Sequence, residues 1–338
     1  MLSVRRIAVV VFLLVSLVTI GLGVFVVQLK TPFRAFDEPL FLDIERGVPT
    51  AELAERLEKA GVIRSKHLFL AIRAVRRQVI LMAGEYRFSE EATPWQVFDT
   101  FAKGRVFLRR LTIPEGLTRF ETAELIAKSG YDPDGKFLAL TEDPSPVRDL
   151  FPQAKTLEGF LFPETYSLPR EADAEVLRDA MLAAFRKNFA EAGKGKTTPL
   201  EPFAVATLAS MIEKETGVGG ERDQVSAVFH NRLKRRMLMQ CDPTIVYGLI
   251  LEGRYRGKIY ESDLPDPHPY NTYVHAGLPP GPIASPGRAS LEAAFRPAES
   301  AYLYFVAASA TGRGHVFSKT LTEHNKAVAA YRRSEKSR

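Results

Sequence analysis

Cysteine is almost missing from this chain: Cys241 is the one example in 338 residues. A lone thiol excludes an intrachain disulfide and any cysteine-built metal cluster. Stability must then come from a packed core, which a hydrophobic content of 46% can supply. Histidine is scarce as well. Residues 67, 230, 268, 275, 315 and 324 show no metal-ligand spacing, and no His-Glu-x-x-His occurs. No Gly-x-Ser-x-Gly nucleophile elbow is present. Gly193-Lys-Gly-Lys-Thr197 lacks the first glycine of a phosphate loop, since Ala190 stands there, and a helical pattern rather than a strand precedes it. No metal and no cofactor is expected. Carboxylates, hydroxyls and amides are the chemistry left.

Long apolar runs are limited to one. Residues 7–29 form a 23-residue stretch without a charge, long enough to cross a bilayer as a helix. Arg5 and Arg6 precede it, so the positive-inside rule predicts residues 1–6 in the cytoplasm. A cleavable signal peptide is the competing reading, but no Ala-x-Ala site follows the run. The expectation is a single-pass anchor in the cytoplasmic membrane, with the rest of the chain on its periplasmic or extracytoplasmic side. A net charge of +6 suits an anionic partner, membrane headgroups or a wall polymer, and suits plain solubility equally. Nucleic acid is excluded as a partner by the side of the membrane.

An internal repeat appears at an offset of 69 residues. Leu42-Asp-Ile44-Glu-Arg-Gly47 matches Leu111-Thr-Ile113-Pro-Glu-Gly116, and a helical pattern then stops at Gly61 and at Gly130. Glu52 matches Glu121, Glu55 matches Glu124, Leu57 matches Ile126 and Lys59 matches Lys128. Each unit reads as a strand, a Gly turn, an amphipathic helix and a Gly C-cap. Shared ancestry and convergence both account for it. The first unit continues with Ser65 as an N-cap, a helix over Lys66–Arg77, a strand over Gly84–Phe88 and a helix from Thr93-Pro94 to Lys103. Residues 38–104 thus form a small α+β module for binding or spacing, and 105–149 a second strand–helix unit.

From about Leu150 the character changes, and 150–335 is expected to be the catalytic domain. Glu158–Pro169 is aromatic and turn-rich, and helices are predicted over 173–192, 201–216 and 222–235. Residues 265–297 hold eight prolines; a loop that long usually shapes a site. Strands over Tyr302–Val306 and His315–Phe317, joined by a Gly-Arg-Gly turn, precede a final helix over 321–332. The fold class expected is α+β: one transmembrane helix, the small module, then a mainly helical domain with a C-terminal hairpin.

Glu213 ends a run that is otherwise apolar, Phe203 to Ile212. An acid against such a surface is partly desolvated, which favours the neutral form that a general acid needs. Glu213 and Glu215 also fit a plainly solvated helix end. On the face of Glu213 lie Ala206, Ala209 and Ser210, small enough for a substrate or a neighbouring helix to approach. Arg222 is expected to pair with Glu215 and hold it ionised, leaving Glu213 neutral. Glu158, Tyr166, Asn271 and Tyr273 are loop residues suited to hydrogen-bonding sugars or to building turns. Asp242-Pro243 reads as the start of a helix. Carboxylates with aromatic surroundings, outside a membrane, point to carbohydrate.

Glu158-Gly-Phe-Leu-Phe-Pro-Glu-Thr-Tyr166 and Ala209-Ser-Met-Ile-Glu-Lys-Glu-Thr216 closely resemble the endolytic murein transglycosylases, the YceG-like family. So do Glu221-Arg-Asp223, Val228–Arg232, Asp242–Gly248, Tyr270-Asn-Thr-Tyr273, Gly277–Ile283, Tyr302–Val306 and His324-Asn325. The resemblance implies a lyase that cuts between N-acetylmuramic acid and N-acetylglucosamine in peptidoglycan glycan strands, leaving 1,6-anhydromuramic ends. It implies Glu213 as the catalytic residue, a LysM-like N-terminal module, and a link to penicillin-binding peptidoglycan synthases. Glu158, Tyr166, Glu215, Asn271 and Tyr273 are the candidates for substrate binding. A hydrolytic muramidase would need a second carboxylate from Glu158, Glu164, Glu215, Glu221 or Asp223. A non-catalytic wall-binding scaffold would need none.

Overall fold

The computed structural model describes residues 4–170, 172–215, 217, 219–309 and 314–336. The chain divides into two compact units, Met1–Arg109 and Arg110–Arg338. Its class is mixed α+β, with small two-stranded sheets among many helices.

The first unit opens with α1 (Val4–Lys30), a helix long and apolar enough to cross a membrane. Then come β1 (Leu40–Ile44), α2 (Thr50–Lys59), α3 (Lys66–Val75), β2 (Gly84–Phe88) and α4 (Pro94–Ala102). The order strand, helix, helix, strand is the one read from the sequence. β1 and β2 pair antiparallel, with Leu40 opposite Phe88 and Leu42 opposite Tyr86. Alternation puts Tyr86 and Phe88 on the inner face, against Leu53 and Leu57 of α2, Phe69 and Ile72 of α3, and Phe98 and Phe101 of α4. Ser65 caps α3, and Thr93 with Gln96 makes a capping box on α4.

The second unit begins within β3 (Arg109–Thr112) and continues through α5 (Arg119–Ser129) and α6 (Phe137–Leu140) to β4 (Thr165–Leu168), which pairs with β3. Then follow α7 (Ala174–Gly193), α8 (Pro202–Glu215), α9 (Arg222–Lys234), α10 (Asp242–Leu251) and α11 (Arg288–Phe295). β5 (Tyr304–Ala307) and β6 (His315–Ser318) form an antiparallel hairpin, and α12 (Leu321–Lys336) closes the chain. Thr216 and the Gly312-Arg313 part of the expected turn lie outside the described residues.

α8 is the centre of this unit. Every residue from Val205 to Ile212 is buried, because α9, α10 and α11 pack around it. The small face of Ala206, Ala209 and Ser210 is filled by the chain itself. Around α7 the core is aromatic: Phe185 lies 5.2 Å from Phe160, 5.6 Å from Phe189 and 5.9 Å from Phe151, ring centre to ring centre.

Two elements depart from the sequence reading. α11 lies inside the proline-rich segment that reads as a loop. Its Leu291, Ala293 and Ala294 are buried, so tertiary packing rather than propensity decides it. β4 lies in the turn-rich string before Pro169, where pairing with β3 decides the conformation. Cys241 is the N-cap of α10 and Asp242 its first helical residue, one position earlier than Asp242 as cap would imply.

Truncating Phe185 to alanine should cost about 3–5 kcal/mol of the second unit's stability, since it empties a closed aromatic cluster. Urea unfolding of the full chain in detergent, followed by far-UV circular dichroism, measures it.

Candidate active site

Three segments far apart in sequence converge at the C-terminal end of α8. Ser210 Oγ donates to Thr207 O (2.7 Å) and accepts from Ile283 N (3.0 Å), which pins the proline-rich segment to the helix. Two residues on, Ser285 N donates to Leu117 O (2.8 Å) and Ser285 O accepts from Gly116 N (2.9 Å). That reciprocal pair fastens the turn between β3 and α5 to the same place. Gly116 sits at φ +77°, a left-handed conformation that glycine adopts without a Cβ penalty.

Glu213 lies where they meet, its side chain only 6% exposed. Gly287 N donates to one carboxyl oxygen at 2.9 Å, and Arg222 Nη2 donates to the other at 3.3 Å. The Arg222 guanidinium is itself mostly buried at 14% exposure, and its Nε donates to Ser290 Oγ at 3.0 Å. The same Nη2 lies 3.7 Å from Glu115 Oε2, and Glu115 is half exposed. One guanidinium therefore serves two carboxylates. Glu115 fills the space that a side chain on Gly287 would need: an added Cβ would come within 2.0 Å of Glu115 Oε1. Partial burial, and then the charge of Glu213, push the Glu115 carboxyl above its ordinary range, while Arg222 opposes them. Lys214 closes the turn by donating to Gly116 O at 3.1 Å. Among the described residues no group of three or more His, Cys, Asp or Glu is placed to hold a metal ion.

The model of the YceG-like family matches residues 42–330, a span that contains Glu115, Glu213, Arg222 and Gly287. The chain belongs to the YceG-like family. It is 32% identical over 310 residues to an endolytic murein transglycosylase of Bacillus subtilis, covering 86% of this chain and 84% of that protein. It is 29% identical over 318 residues to a protein of the same name from Streptococcus pneumoniae, a longer protein of which the chain spans 57%. A crystal structure of a putative yceG-like protein from Listeria monocytogenes aligns with a TM-score of 0.54 at 32% identity, covering 86% of this chain and 99% of that one.

The structure corrects one expected contact of this YceG-like chain. Arg222 pairs with Glu213, not with Glu215. Two residues apart on a helix, the two acids point to nearly opposite sides, so a single α9 residue cannot serve both. Glu215 turns toward the start of α10, where its carboxyl accepts from the Cys241 thiol. Burial pushes it up to about 7, the Cys241 thiol lowers it, and the charge of Asp242 adds to the rise. Tyr273 donates to Asp242 Oδ1 at 2.5 Å, so it belongs to this second cluster.

The other candidates lie deeper. Glu158 is 3% exposed; its two oxygens accept from Arg119 N, both at 3.1 Å, and one also from Tyr247 OH at 3.0 Å. It thereby caps the first turn of α5. Tyr166 is buried and donates to Phe162 O at 2.6 Å. Asn271 is buried, donating to Leu264 O and Asp266 O and accepting from Tyr273 N, which builds the turn around it. Glu221 holds His315 through Nδ1 at 2.7 Å and N at 2.9 Å. None of these hydrogen-bonds to Glu213. Its neighbours are Glu115, Arg222 and Gly287, with Ser290 behind Arg222. Glu115 was visible in the sequence only as part of the repeat; its signal was a Pro-Glu-Gly turn before a helix.

Burial pushes Glu158 up to about 7 from an ordinary 4.5, against the donors that lower it. The folded state thus binds a proton that the unfolded chain has released, and stability is lost as pH rises through this window. Between pH 4.5 and 7 the loss from this one group should be about 3 kcal/mol. Urea midpoints across that range should fall in the wild type and fall less in Glu158→Gln, with Glu215 supplying the remaining slope. An equal slope in both proteins would contradict the assignment.

Proposed function

We propose that this chain is an endolytic lytic transglycosylase, a lyase of peptidoglycan glycan strands, with Glu213 as its acid and base. The observation that carries the proposal is a nearly buried carboxyl at the end of α8, held on one oxygen by Arg222 and on the other by Gly287 N. The names of the relatives from Bacillus subtilis and Streptococcus pneumoniae support it.

In this reading Glu213 gives its proton to the oxygen between N-acetylmuramic acid and N-acetylglucosamine as that bond breaks. The carboxylate it becomes is complemented by the two donors already in place. It then takes the proton of the muramic C6 hydroxyl while O6 closes on the anomeric carbon. Holding that hydroxyl near the anomeric carbon contributes through proximity, and no water enters. α1 would anchor the chain with its catalytic unit outside the cytoplasmic membrane. The strand–helix–helix–strand module would act in the LysM manner, binding glycan.

Glu115 favours one second reading, a muramidase. Hydrolysis of a glycosidic bond commonly uses two carboxyl groups, and Glu115 stands on the same Arg222 as Glu213. Mass spectrometry of digested uncross-linked strands separates the two. Transglycosylation predicts anhydro ends; products about 18 Da heavier, one water, would establish hydrolysis. Glu213→Gln should lower cleavage by about 10²–10⁴-fold with the fold intact. Full cleavage by Glu213→Gln, with loss in Glu215→Gln, would transfer the role to Glu215.

A further inference from the structure

Glu115 has no place in a one-acid mechanism, yet the fold puts it against the acid with care. Its turn is fixed by the Ser285 pair, its oxygens lie where a Gly287 side chain would be, and its carboxylate shares Arg222 with Glu213. We propose that Glu115 is a positioning residue: its carboxylate competes with Glu213 for Arg222 and so keeps one proton on the pair. The inference rests on the reading of Glu213 as the acid.

Charge sets the balance at this site. Two carboxylates and one guanidinium leave a net negative charge in a partly buried site, and a shared proton relieves it. Among the described residues, three elements bring charge to the pair. The turn supplies Glu115, α8 supplies Glu213 and Lys214, and α9 supplies Arg222. Lys214 donates to Gly116 O, and Arg288 at the start of α11 is engaged by Glu191 and Glu292. Burial and then the charge of Glu213 act upward on Glu115. Glu115 forms and breaks no bond itself. Glu213 still gives the proton to the leaving oxygen and recovers one from the C6 hydroxyl. What Glu115 changes is the pH range over which that proton is present at the start.

The test is the pH profile of kcat/KM on uncross-linked glycan strands, with the full chain in detergent. In Glu115→Gln the second negative charge is gone, Arg222 is left to Glu213, and the site gives up its proton at lower pH. The alkaline limb should therefore move down by about one unit. Gly287→Ala should move it the same way, because its Cβ displaces the Glu115 carboxylate while its backbone, at φ −76°, stays ordinary. A purely structural role would lower the profile at every pH and leave the limb in place, which would overturn the proposal. A second readout needs no activity: in a carbon-13 carboxyl titration, the Glu115 midpoint should fall in Glu213→Gln. An unchanged midpoint would overturn the proposal even if Glu115→Gln fails to fold. An inactive wild type, or an active Glu213→Gln, sinks the functional reading instead. An active enzyme with an unmoved limb sinks this inference alone.

Discussion

The hydrogen bond from Ile283 N to Ser210 Oγ is the tie on which the site depends. It fixes the proline-rich segment to a buried helix, and the segment then carries Ser285 to the β3–α5 turn and Gly287 to Glu213. Two loops without regular structure of their own are thereby held on rigid elements. A catalytic group gains from such support, since small misplacements are costly in rate. The small face of α8 makes the approach possible: bulkier side chains at Ala206, Ala209 or Ser210 would push the segment away.

Glu158, Glu213 and Glu215 are all withdrawn from water, and their surroundings set them apart. Glu158 is sealed by two backbone contacts and a tyrosine, and serves the start of α5. Glu215 faces a thiol and a second acid, with no guanidinium hydrogen-bonded to it in the way Arg222 serves Glu213. Glu213 alone among them shares an arginine with a half-exposed acid, Glu115, which links it to solvent. Among the described residues, Glu213 is the one of the three whose carboxyl takes a hydrogen bond from a guanidinium.

Much of this architecture was legible in the sequence. The repeat marked Gly47, Gly61, Gly116 and Gly130, and all four take positive φ at turns or helix ends. The apolar run before Glu213 marked α8, and the prolines marked the segment that reaches it. Glu115 was not legible as a site residue, because its approach to Glu213 depends on contacts across about a hundred residues and more. Tyr166 and Asn271 show a different limit. Polar residues in turn-rich strings suit sugars, but a buried segment needs the same donors and acceptors for its own backbone, and here they are used that way. The expected Arg222–Glu215 pair failed on helical geometry, which separates residues two apart.

The most direct measurement is a crystal structure of the Glu213→Gln chain with an uncross-linked glycan strand bound. The account predicts the oxygen between N-acetylmuramic acid and N-acetylglucosamine within about 3 Å of the residue-213 amide, on the side of Glu115 and Arg222. A strand whose bridging oxygen lies against Glu215, or that passes away from the end of α8, would contradict it.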